Sequence, residues 1–284
     1  MKLLLDSVRK AEFFSAAFLS AAMIVLIVLV ETQTESLTQS PPSFVSPESI
    51  TVFPDFASIQ NIKVKKQQFF DYLQDYVVAE NLKIYGTRSQ LISYGEIANE
   101  GATFSSREKN WLMSLADEYR ISNDSLNQRD LVNELLMRVD VIPVSLVLAQ
   151  GANESAWGTS RFTLEGNNIF GQWCYEVGCG IVPNRRPSGA THEVKKFYSV
   201  EESVAAYFTN INSHHLYQYF RSLRAQMRAH HLTLDPMVLA YGLGRYSERG
   251  INYVDEVQNI IIQNELQDRD NFNLNKGEKV TVAL

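Results

Sequence analysis

The sequence predicts an α+β fold that is mainly α, with a small β lobe and a membrane-spanning helix ahead of it. Three observations carry that prediction. Apolar residues recur at spacings of three and four through most of the chain, as one face of a helix requires. Between Gly166 and Phe197 that rhythm stops, and Gly, Pro and both cysteines gather. Near the amino terminus, Phe13 to Val30 runs without a single charge.

The run Phe13 to Val30 is about as short as an apolar stretch can be and still cross a bilayer as a helix. Lys2, Arg9 and Lys10 precede it, so its amino-terminal end stays cytoplasmic and the remainder of the chain is exported. A cleaved signal peptide is the alternative, but Val28 to Thr32 offers no small-x-small cleavage site and the run exceeds a usual signal core. Residues 1–30 therefore read as a single-pass anchor. Residues 31–61 are rich in Ser, Thr, Gln and Pro, including Pro41, Pro42, Pro47 and Pro54. Such a stretch buries too little apolar surface to offset its ordering entropy, and reads as a tether.

From Ile62 onward, Val64, Phe69, Tyr72, Leu73, Tyr76 and Val77 mark a helix whose aromatic residues suit a core. Ser105 to Glu108 forms a capping box ahead of Trp111, Leu112, Leu115 and Ala116. Leu131, Leu135, Leu136 and Val139 mark the next helix, and Pro143 suits the first turn of one carrying Val144, Leu146, Val147, Leu148 and Ala149. Loops and short strands come next, among them Thr191 to Phe197. Helices resume at Val200 to Ile211, Leu216 to Ala229 and Val254 to Ile262. The expected organisation is an anchor (1–30), a tether (31–61), a helical extension without an assigned role (62–124), a catalytic domain (125–266) and a tail (267–284).

At 284 residues and 45% apolar composition the chain can bury a full core. A net charge of −6 leaves no electrostatic footprint for nucleic acid. Cys174 and Cys179, with Gly178 between them, suit a tight bridge closing a short loop in an exported chain. Two thiols with His192 nearby complete no zinc spacing, so neither metal nor cofactor is expected. Arg221, Arg224 and Arg228 fall on one helical face and read as a solvated cationic surface, with anionic peptide stems or headgroups as an alternative contact.

The most informative stretch runs from Ala149 to Ser160 and continues through Asn167-Asn168-Ile169-Phe170-Gly171. It places Glu154 at the end of an apolar helix, among small residues, Trp157 and Asn amides. Acid-catalysed glycoside cleavage needs a carboxyl group that stays protonated near neutral pH, which a partly dry, aromatic-flanked site favours. Glu154 is the candidate general acid.

Glu154-Ser155-Ala156-Trp157-Gly158 and Asn168-Ile169-Phe170-Gly171 resemble the signature of the bacterial glucosaminidase family, glycoside hydrolase family 73, over roughly residues 125 to 266. The resemblance implies a lysozyme-like fold with its cleft between the lobes, and cleavage of the β-1,4 bond after N-acetylglucosamine in peptidoglycan. It implies Glu193 as the second carboxylate, activating water or steadying the oxocarbenium-like state. It implies Tyr246 and Tyr253 as the family's two tyrosines, with the Tyr246 phenol orienting the acetamido group. Ser247-Glu248-Arg249 departs from the family's Tyr-Ala-Thr-Asp type pattern, so no Asp role carries over. Trp157 walls the cleft or supports Glu154 from behind. Asn168 and Phe170 resemble cleft residues, Asn168 ordering the loop. The partners so implied are peptidoglycan strands and the inner membrane, with the catalytic domain at its periplasmic face; release into the periplasm after signal cleavage is the alternative.

Two other readings concern the same polymer. One is a wall-binding module with weak turnover, motivated by the departure at Ser247 to Arg249; the other is a muramidase or amidase. The Gly-Leu-Met-Gln element of lytic transglycosylases is absent, and no zinc or Cys amidase site assembles. A serine-hydrolase reading fails for want of Gly-x-Ser-x-Gly, and a Cys-His reading is weakened by the expected bridge.

Overall fold

The computed structural model describes residues 53–270 apart from 123–125, 185, 187 and 188. The anchor expected at 1–30 and most of the tether lie outside the described residues. Among the described residues no helix is long and apolar enough to cross a membrane.

The fold is mainly helical with one small sheet. Helix α1 (Ile62–Asn99) starts at Asn61, whose side chain accepts the Lys63 and Val64 amides. Helix α2 (Ser106–Glu118) begins at the expected capping box, Ser105 donating its amide to Glu108 at 2.7 Å. Helix α3 (Gln128–Arg138) leads into α4 (Val144–Glu154), the helix that ends at the candidate acid. A short α5 (Arg161–Gly166) precedes strands β1 (Trp173–Cys174), β2 (Gly180–Ile181) and β3 (Glu193–Lys195). The sheet is antiparallel in the order β1-β3-β2, with Cys174 opposite Glu193 and Gly180 opposite Lys195. Helices α6 (Val200–Ser213), α7 (Gln218–Ala229), α8 (Pro236–Ala240) and α9 (Ile251–Gln263) complete the helical part.

Helix α4 is the centre of the core, with every residue from Val144 to Ala152 buried. Helix α1 closes on it so tightly that a Cβ on Gly151 would lie 2.5 Å from the Leu73 side chain. Residues 62–99 thus share one continuous core with the helix that carries Glu154. Pro143 precedes α4 without a side-chain cap. Asp270 supplies one from the far end of the chain, accepting the Ser145 amide at 2.8 Å and the Ser145 hydroxyl at 2.7 Å. Arg269 beside it reaches Asp71 at 2.7 Å and also Gln74, so the packed fold extends through residue 270.

Two expectations change here. Phe53 and Phe56, which fall in the stretch expected to be a tether, are buried against Phe69 and Tyr72. Their aromatic area outweighs the disorder their Pro and Ser neighbours favour. Nor do the arginines of α7 form a solvated face. Arg224 is 1% exposed and donates to the carbonyls of Asp140, Val141, Met137 and Arg138 and to Asn212. Asp140, itself buried, pairs with Arg228 at 2.8 Å, Arg88 at 3.5 Å and Arg224 at 3.7 Å. Burial alone would raise the Asp140 carboxyl, but these guanidinium groups outweigh it and hold the group below its usual range.

Candidate functional site

Glu154 closes α4, and the chain turns sharply behind it. Ala156, Trp157 and Gly158 all have left-handed backbone, with φ of 50°, 59° and 75°. Each non-glycine residue there costs about 1–2 kcal/mol, which the surroundings must offset. Ser155 does part of this by accepting the Gly158 amide at 2.8 Å. Trp157 does more, packing edge-on to Phe70 and Phe69 at 5.1 and 6.1 Å with Lys66 Nζ 4.5 Å from its ring centroid. All three partners belong to α1, so Trp157 packs the turn that follows Glu154 onto that helix. Gly158 has no side chain where Phe56, Phe53 and Phe69 converge; a Cβ there would meet Phe56 at 2.7 Å.

The Glu154 carboxyl is half-buried, and a Cβ on Gly171 would lie 3.5 Å from its Oε2. Burial pushes the group up, more than a hydrogen bond from Tyr253 and the charge of Arg249 pull it down; Glu256 adds to the rise. Tyr253 is fully buried, stacked flat on Tyr246 at 5.5 Å and 6°. Its oxygen accepts Gln150 Nε2 at 2.8 Å, which leaves its proton for Glu154. Gln150 Oε1 in turn accepts the Tyr207 hydroxyl. Tyr207, Gln150 and Tyr253 therefore form a hydrogen-bonded chain that ends beside the Glu154 carboxyl.

Tyr246 donates its hydroxyl proton to the Phe170 carbonyl at 2.8 Å, leaving its oxygen free only to accept. Phe170 is 1% exposed and stacks on Tyr207 at 4.1 Å. Asn168 is equally buried and donates to the Gln172 and Lys195 carbonyls while accepting the Gln172 amide at 3.0 Å. Asn168, Phe170 and Tyr253 thus lie beneath the surface, where they shape the site and offer no exposed face to a ligand.

Glu193, in the central strand β3, is also buried. Its two oxygens accept the amides of Gly178 at 3.1 Å and Gly180 at 2.9 Å. These backbone donors, aided by Arg186, hold its carboxyl below the usual range. The amides flank Cys179, which is joined to Cys174 in the expected disulfide. The two carboxylates thus sit in opposed settings, one biased toward its proton and one toward its charge.

The sequence pattern does not single out Gln150, Tyr207, Gly171 or Arg249 as site residues. Gln150 had a signal: it is the polar residue of an apolar run, one helical turn before Glu154 and so on the same face. Arg249 sits over the Tyr253 ring at 5.4 Å and pairs with Glu256. Among the described residues no group of three or more His, Cys, Asp or Glu is arranged to hold a metal ion.

A family model described as glucosaminidase, mannosyl-glycoprotein endo-beta-N-acetylglucosaminidase, matches residues 129–266. The chain is similar to protein bax of Escherichia coli (strain K12), with 32% identity over 200 residues that make up 70% of each chain. No solved structure gives a significant match.

Proposed function

Since the chain belongs to the Bax-like glucosaminidase family, we propose that it is a peptidoglycan hydrolase, an endo-β-N-acetylglucosaminidase of lysozyme-like fold. It cuts the β-1,4 bond after N-acetylglucosamine. Glu154 protonates the leaving oxygen. Glu193 supplies a fixed negative charge to the oxocarbenium-like state, a role its low proton affinity suits better than that of a base. Tyr246, its proton committed to Phe170, accepts the N–H of the substrate's acetamido group. Residues 1–30 anchor the enzyme in the inner membrane, facing the wall polymer.

The observation that carries this reading is the contrasting geometry of the two carboxyl groups, Glu154 half-buried at the end of α4 and covered by Gly171, Glu193 with both oxygens accepting the Gly178 and Gly180 amides, so that burial raises the first and amide donors lower the second. Pairs driven apart in this way divide acid and charged roles between them. The test is digestion of purified peptidoglycan, with fragments identified by mass spectrometry after borohydride reduction. Fragments ending in reduced N-acetylglucosamine support the reading, and muramic acid ends contradict the choice of bond.

A second reading, a wall-binding module with weak turnover, draws on Arg249. Where the family pattern places its Thr-Asp, this chain carries a cation paired with Glu256. Binding to sacculi without any released fragment would favour it.

A further inference from the structure

Trp173 is 55% exposed, and a neighbouring ring backs it. One face of its indole is backed by the His192 ring, with centroids 4.2 Å apart and planes 14° apart. Its backbone is pinned on both sides. Before it, Gln172 donates to Asn168 at 3.0 Å and to the Ser203 carbonyl at 3.0 Å, and accepts the Lys195 amide at 2.9 Å. After it comes Cys174, tied to Cys179. His192 is held in turn by Arg186, which donates to its carbonyl at 3.2 Å.

Its place along the chain gives this platform a meaning. Gly171 lies directly against the Glu154 carboxyl, and Trp173 comes two residues later, so its backbone lies within about 7 Å of the residue that covers the acid. A ring-backed, exposed indole on the strand that follows Gly171 suits the apolar C–H face of a pyranose, which an aromatic face binds at little entropic cost. We propose that Trp173, backed by His192, is a stacking subsite for an N-acetylated sugar ring of the glycan strand, next to the bond that is cut. The proposal rests on the glucosaminidase reading for the identity of its sugar.

The test uses the full chain with Glu154→Gln, which leaves the sugar intact, titrated with the tetramer of N-acetylglucosamine. Intrinsic fluorescence and calorimetry are read together. The indole emission is expected to change on binding, and Trp173→Ala to abolish that change and weaken affinity about tenfold. Trp173→Tyr should restore most of the affinity, and His192→Ala should weaken it to an intermediate degree. Circular dichroism confirms that each variant is folded. A folded Trp173→Ala protein that binds the tetramer as tightly as its parent overturns the proposal, as does a parent that does not bind it. Failure of the hydrolase reading looks different: the parent binds through Trp173, while the protein with Glu154 intact releases no fragments from peptidoglycan.

Discussion

Tyr253 lies flat on Tyr246, with ring centroids 5.5 Å apart, and the two phenols serve different parts of one site. Tyr253, whose oxygen accepts from Gln150, turns its proton toward Glu154 and so lowers that carboxyl's proton affinity, whereas Tyr246 gives its proton to the Phe170 carbonyl. The stack couples the setting of the candidate acid to the loop beyond Asn168, so disturbance of either ring reaches both.

The donor on Glu154 favours its ionised form, against the burial that favours its protonated form. Tyr253→Phe removes the donor and leaves the ring stack in place. In the proposed role of general acid, the protonated form of Glu154 is the active one and its proton affinity sets the basic limb of the pH profile. That limb is expected to move upward by about one pH unit. The pH dependence of kcat/KM for glycan release checks this, and an unmoved limb contradicts it.

Asp140 pairs with three arginines where α1 and α7 meet the end of α3. Asp140→Asn leaves Arg224, 1% exposed, without its counter-charge. The expected loss of stability is about 3–5 kcal/mol, read from urea unfolding. A loss below about 1 kcal/mol would show that the carbonyls around Arg224 suffice.

Burial pushes the Asp270 carboxyl up from 3.8 to about 6, against the hydrogen bonds from Ser145. A carboxyl that binds its proton more tightly in the fold than in the unfolded chain stabilises most below the unfolded value. Its contribution disappears as pH rises through the folded value. Between about pH 4 and 6.5 the parent should therefore lose about 3 kcal/mol that Asp270→Asn does not lose. Thermal unfolding of both proteins across that range checks the difference, and parallel curves would contradict it.

The helices were legible because their apolar spacing and caps are local. Ser105 and Glu108 announce α2, and the apolar residues of α6 and α9 recur at helical intervals. The disulfide was legible from the short Cys174 to Cys179 spacing. What was hidden depends on partners far along the chain. Three arginines on a helical face look the same whether they meet water or Asp140, and only the fold brings Asp140 to them. The cap of α4 comes from Asp270, and the support of Trp157 comes from Lys66, Phe69 and Phe70; neither pairing leaves a local trace. Phe53 and Phe56 were masked by surrounding Ser and Pro. At the site, Glu154 stood out by its motif, while Gln150 was lost in the apolar run that buries it.

The central claim is that Glu154 is the proton donor in glycan cleavage. The most direct measurement is the rate at which the wild-type protein and Glu154→Gln release soluble fragments from purified peptidoglycan. Loss of the general acid should slow release by about 10²–10⁴-fold, with sacculus binding and melting temperature unchanged. A folded Glu154→Gln protein that releases fragments at the wild-type rate would contradict the account.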